Sequence, residues 1–170
     1  PILSLFSFLY KKENVGFTLQ FDDAPSEPIE IAHRAGAPSY NADVNVIVPN
    51  ISTLDAGYQL IEVPLEAIAW GRSGDKGNKA NIGIIARHPN LLPYIWDTFS
   101  EEKIVEIFSH FLENDKIDRH YLPGISGVNY VLHDVLGGGG TTSLRNDPQG
   151  KGYAQILLSC KISVPKNLLV

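Results

Sequence analysis

The sequence of 170 residues carries 14 basic and 19 acidic side chains, a formal net charge of −5, with 44% hydrophobic and 19% charged residues. That length and balance fit one folded domain with its own core, and the acidic excess has the wrong sign for electrostatic capture of nucleic acid or an anionic membrane. A single cysteine, Cys160, excludes an internal disulfide or a Cys-based zinc site, and no apolar run reaches the roughly 18 residues of a membrane helix.

In chain order, Pro1 to Tyr10 is apolar, but Lys11 and Lys12 follow it rather than precede it and no small-residue cleavage site comes after, which argues against a secretory leader. Methionine is absent and the chain opens on Pro1, so the expectation is a segment of a longer, cytoplasmic polypeptide. Residues 15–21 alternate apolar and polar, with Val15, Phe17, Leu19 and Phe21 on one face of a half-buried strand. Further short strands are expected at 29–31 and 44–48, so residues 1–60 read as a strand-rich connecting or covering segment.

From Ile61 the texture changes, and residues 61–165 read as the main domain with 166–170 as a tail. A strand is expected over 61–70, broken by Pro64. A polar glycine-rich loop follows over 71–78, then a strand over 80–86. A helix is expected over 101–112, where Ile104, Ile107, Phe108 and Phe111 hold helical spacing behind the N-cap Ser100. A second helix over 126–136 follows from the spacing of Val128, Val131, Leu132 and Val135, stopped by Gly137. The turn at 146–150 then leads into a strand over 153–164. Strands with two intervening helices give an α+β fold, two layers with both helices on one face of a mostly antiparallel sheet containing strands 61–70, 80–86 and 153–164.

Two loops combine glycine with charge. The first holds Arg72, Ser73, Gly74, Asp75, Lys76, Gly77 and Asn78; the second holds Gly138, Gly139, Thr141, Arg145 and Lys151, with His133 near it. Backbone donors beside cations can cradle an anion, although glycine loops are commonest as plain turns. Neither loop has the nucleotide-binding spacing G-x-x-x-x-G-K-[ST] or G-x-G-x-x-G. The histidines lack zinc-protease spacing, and Ser73 is not in a G-x-S-x-G elbow. His133 reads otherwise as a histidine at a helix C-terminus, Cys160 as a buried inert thiol on a strand, and Trp70 and Trp96 as core or interface aromatics. Asp75 and Arg145, in the two loops, are expected to lie close enough to pair.

The run from Trp70 to Arg87, WGRSGDKGNKANIGIIAR, resembles the opening signature of the C-terminal domain of the AtuA family, named for acyclic terpene utilisation. Asn129-Tyr130-Val131-Leu132-His133 with the glycine run 137–140, and Ser143-Leu144-Arg145 with 147–152, resemble the family's later motifs in the same order. The resemblance implies a ferredoxin-like fold over about 62–163, usually behind a larger N-terminal domain. It also implies a setting in the catabolism of branched acyl-CoA compounds, which makes a CoA thioester the ligand to expect; the cysteine count and histidine spacing give no metal site. No nucleophile with an acid–base pair is evident, so catalysis by this chain alone is not expected. Two functions remain open. One is an accessory domain that helps bind a phosphate, carboxylate or CoA group. The other is a non-catalytic assembly module that packs on the larger domain or forms a homo-oligomer, with Pro1 to Tyr10 as an exposed apolar contact.

Overall fold

The computed structural model describes residues 8–30, 47–48 and 58–169. The chain divides into two compact units, Phe6–Asn45 and the remainder. In the first, β1 (Phe17–Leu19) pairs antiparallel with β2 (Glu27–Ile29), with Phe17 opposite Ile29. Val15, Phe17, Leu19 and Phe21 alternate as expected but are all exposed rather than half-buried. An alternating pattern sets which residues share a face, and a two-stranded ribbon offers too little surface to cover that face. The strand expected at 44–48 falls largely outside the described residues.

The second unit runs β3 (Leu60–Pro64), β4 (Ala69–Lys76), β5 (Lys79–Ala86), α1 (Leu92–Thr98), α2 (Glu101–Phe108), β6 (Ile117–Leu122), β7 (Gly127–Leu132), α3 (Tyr153–Ser159) and β8 (Lys161–Pro165). β4, β5, β7 and β6 form a four-stranded antiparallel sheet in that order, and β8 pairs with β3 as a separate antiparallel ribbon. The α+β architecture therefore stands. The single sheet over 61–70, 80–86 and 153–164 does not, because Leu65–Ala67 turns in a 3-10 helix and divides the first of those strands between two sheets.

Three element assignments change. Residues 71–76 are not a loop but the body of β4, leaving only Gly77 and Asn78 to turn the hairpin. The expected helix over 126–136 is instead β7. Val128, Tyr130 and Leu132 are buried at every second position, and β-branched and aromatic side chains favour the pleated surface over the helix that the same spacing would allow. The expected strand over 153–164 is α3 followed by β8: Tyr153, Ala154 and Leu157 are buried at helical spacing. The helix over 101–112 is confirmed as α2, shorter at its end, with the Ser100 hydroxyl accepting from the Lys103 amide at 3.3 Å.

One face of the four-stranded sheet is covered. Ile82, Ile84, Val128 and Tyr130 are almost fully buried there beneath Ile95, Phe99, Ile104 and Phe108 of the helical layer. The Tyr130 hydroxyl donates to the Phe99 carbonyl at 2.9 Å, and burial raises its pKa far above the ordinary tyrosine value. Arg119 of β6 fastens the α1–α2 corner. Its guanidinium lies 3.6 Å from the Trp96 ring centroid, donates to the Trp96 carbonyl at 2.6 Å and pairs with Glu101 at 3.1 Å. No helix among the described residues is long and apolar enough to cross a membrane. The buried Ile82 predicts that Ile82→Ala costs about 2–5 kcal/mol in urea unfolding, whereas Val15→Ala on the exposed ribbon stays within about 0.5 kcal/mol.

Candidate functional site

The two glycine-containing segments do meet, and the chain's own groups occupy most of their donors. Asn78 at the hairpin tip accepts from the Gly138 amide through Oδ1 at 2.7 Å, and its backbone carbonyl accepts from the Val135 amide at 3.0 Å. Its side-chain amide donates to Asp134 at 3.1 Å. Gly139 has φ +70, and a Cβ there would collide with the Gly77 carbonyl oxygen, so this contact of two backbones admits no side chain. Thr141 is exposed on the same loop.

Arg145 is committed inward. It donates to the Val135 carbonyl at 2.6 Å and the Phe111 carbonyl at 3.0 Å, with the guanidinium 5.8 Å from the Phe111 ring centroid. The Tyr153 hydroxyl donates to the same Val135 carbonyl at 3.0 Å. Among the described residues Asp75 and Arg145 form no ion pair.

The start of α3 is filled in the same way. Asp147 accepts from the Lys151 and Gly152 amides at 2.9 and 2.7 Å. Ser73, reaching from β4, accepts from the Ala154 amide at 2.9 Å and donates to the Lys151 carbonyl at 3.0 Å. These carboxylate and hydroxyl oxygens satisfy amides that an external anion would otherwise use. Lys151 lies over Gly74, where a Cβ would be 3.0 Å from its Nζ, and Lys76 donates to the Asp75 carbonyl at 2.9 Å.

His133 follows the end of β7 rather than lying in a helix, and its buried ring meets Asp118 of β6, Nε2 to Oδ2 at 2.6 Å. The hydrogen bond from His133 holds the Asp118 carboxyl below the ordinary carboxylate range; partial burial opposes this, and the charges of His133, Lys116 and His120 reinforce it. Cys160 caps the end of α3 instead of lying on a strand; its thiol donates to the Ile156 carbonyl at 3.4 Å, and burial pushes its pKa up, as suits an unreactive thiol.

Arg72 stands apart. It is exposed and, among the described residues, has no hydrogen-bond or ion-pair partner. Strand register puts it in a row across the uncovered face of the sheet: Arg72 opposite Gly83, Gly83 opposite Asn129, Asn129 opposite His120. The adjacent row is Trp70, Ile85, Gly127 and Leu122, with Ile125 beside it. Together the rows line a shallow groove of about 580 Å³, within the range of small-molecule sites. Sequence reasoning found Arg72 but missed Gly83, Asn129 and His120, because alignment across strands depends on β7 being a strand.

The sequence profile of the AtuA ferredoxin-like domain matches residues 63–163, more than half of the chain, and the protein belongs to that family. No curated protein and no solved structure matches it.

Replacing Arg145 by Met removes two charge-assisted bonds to backbone carbonyls, so thermal unfolding should show a loss of about 1.5–3 kcal/mol per bond at most. Gly139→Ala should lower the melting temperature more, since the Gly77 backbone must move. A carboxyl whose pKa falls on folding stabilises the native state above its unfolded value of about 4 and loses that contribution as pH drops through the native value. Asp118→Asn should therefore be less stable than the parent near neutral pH, with the gap closing in acid; urea titrations across that range measure it.

Proposed function

We propose that the chain is an accessory, non-catalytic domain of a larger AtuA-type protein, and that it helps hold an anionic group on the uncovered sheet face through Arg72. The observation that carries this reading is an exposed guanidinium beside a groove, without a partner among the described residues, where Arg145, His133 and Ser73 are committed internally and Arg87 is held by the Glu66 carbonyl and the Trp70 ring. Lys76 and Lys79, at the tip of the hairpin whose strand carries Arg72, add positive potential. The resemblance to the family supplies the context of acyl-CoA and terpenoid catabolism, and a cytoplasmic setting fits such thioesters.

A specific observation also favours the assembly reading. Trp70, Ile85, Leu122 and Ile125 are 55, 42, 39 and 58% exposed, an apolar stripe that a larger partner domain or a second copy would cover. The two readings separate in solution. Titration with inorganic phosphate, acetate and acetyl-CoA, followed by backbone amide shifts, should show salt-dependent binding that Arg72→Ala weakens about tenfold, the equivalent of about 1.4 kcal/mol. Absence of any shift, together with sedimentation as a dimer or larger, would favour assembly instead.

A further inference from the structure

We propose that the uncovered face binds an amphipathic carboxylate, an acyl chain ending in a carboxylate group, with the acid on the Arg72 row and the chain along the Trp70 row. This rests on the accessory-binding reading and names its ligand class. The two rows differ in chemistry. Arg72, Asn129 and His120 offer donors: Asn129 Oδ1 already accepts from the Asn81 side chain at 3.3 Å, which leaves its own amide hydrogens for a ligand. Asp118 on the same face is paired with His133 through Oδ2, and among the described residues Arg72 has no carboxylate partner. The guanidinium's planar fork matches a carboxylate in two parallel bonds.

The second row offers no donor except the Trp70 indole, whose ring is held by the Arg87 guanidinium 4.5 Å from its centroid. Rows on one face are two residues apart along a strand, about 6.7 Å, and each crosses three strand spacings, about 14 Å. A carboxylate and its attached alkyl chain can thus lie on adjacent rows. Phosphate alone would leave the apolar row uncovered, and an uncharged alkane would leave Arg72 unpaired.

Gly83 lies within the Arg72 row, between Arg72 and Asn129. A Cβ there meets only the Arg72 carbonyl and the Asn129 Oδ1, both at the ordinary distance of 3.9 Å, so packing does not demand glycine at this position. Its missing side chain instead leaves a notch beside Arg72 in the middle of β5.

The test uses the full chain and four probes: octanoate, octanol, acetate and inorganic phosphate, followed by backbone amide shifts. Octanoate should bind saturably at residues 70–72, 83–85 and 129, at least about tenfold more tightly than octanol or acetate. Arg72→Met and Gly83→Val should each weaken octanoate about tenfold or more. Gly83→Val suits a strand and should keep the amide spectrum of the folded chain. Phosphate binding at Arg72 without octanoate binding would overturn the carboxylate assignment and leave the accessory-binding reading standing. Octanoate shifts that ignore both substitutions would overturn the site. No binding by any probe, with a mass that rises with concentration, would overturn this proposal and the reading beneath it.

Discussion

The second unit depends on one turn residue, Asn78. Its backbone carbonyl, side-chain oxygen and side-chain amide each bind a different point of the segment that follows β7. Asp134, one of those points, also accepts from Asn114 at 2.7 Å, so the hairpin tip, the β7 exit and the approach to β6 share one network. The chain between β7 and α3 has no regular ladder of its own. Without Asn78 the Val135 and Gly138 amides would lose their partners. Because that path is held, Arg145 reaches Val135 and Phe111, and Tyr153 packs against Phe108 and Phe111.

Charge on this domain is divided by function rather than spread. Arg119 and Arg145 act as multi-point fasteners for backbone carbonyls at the two ends of the helical layer. Asp147 acts as an internal anion at the start of α3. An acidic chain thereby keeps its best-placed cations away from solvent, and the exposed Arg72 is the more distinct for it.

Much of this was legible in the sequence, for identifiable reasons. α2 carries its signals locally: a serine cap, two acids in the first turn and apolar residues at helical spacing. β5 was legible because a compact apolar run bounded by polar residues admits little else. β7 reads two ways because Val128, Val131, Leu132 and Val135 hold helical spacing while Val128, Tyr130 and Leu132 alternate, and only its pairing with β5 and β6 decides between them. α3 was misread because its cap comes from elsewhere: Ser73 lies far away in sequence and Gly152 precedes the helix without a capping side chain. α1 has no expectation in the sequence reading, although Pro93 stands in its first turn, where a helix tolerates proline. The same non-local logic hid the groove, whose residues come from four strands and become neighbours only through register.

The pairing of β3 with β8 has a mechanical consequence. Leu60, the first residue of the sheet-forming domain, sits opposite Pro165, the last of its strands. Paired residues of antiparallel strands lie about 5 Å apart. Tension applied through the flanking chain at both ends would therefore open this ribbon like a zipper, one pair at a time from Leu60 and Pro165 toward Pro64 and Lys161. The four-stranded sheet, which neither strand joins, would bear load only after that ribbon had parted. Parting the ribbon would also expose Ile162 and Val164 of β8, which are buried in the core, so the clasp resists in proportion to that burial.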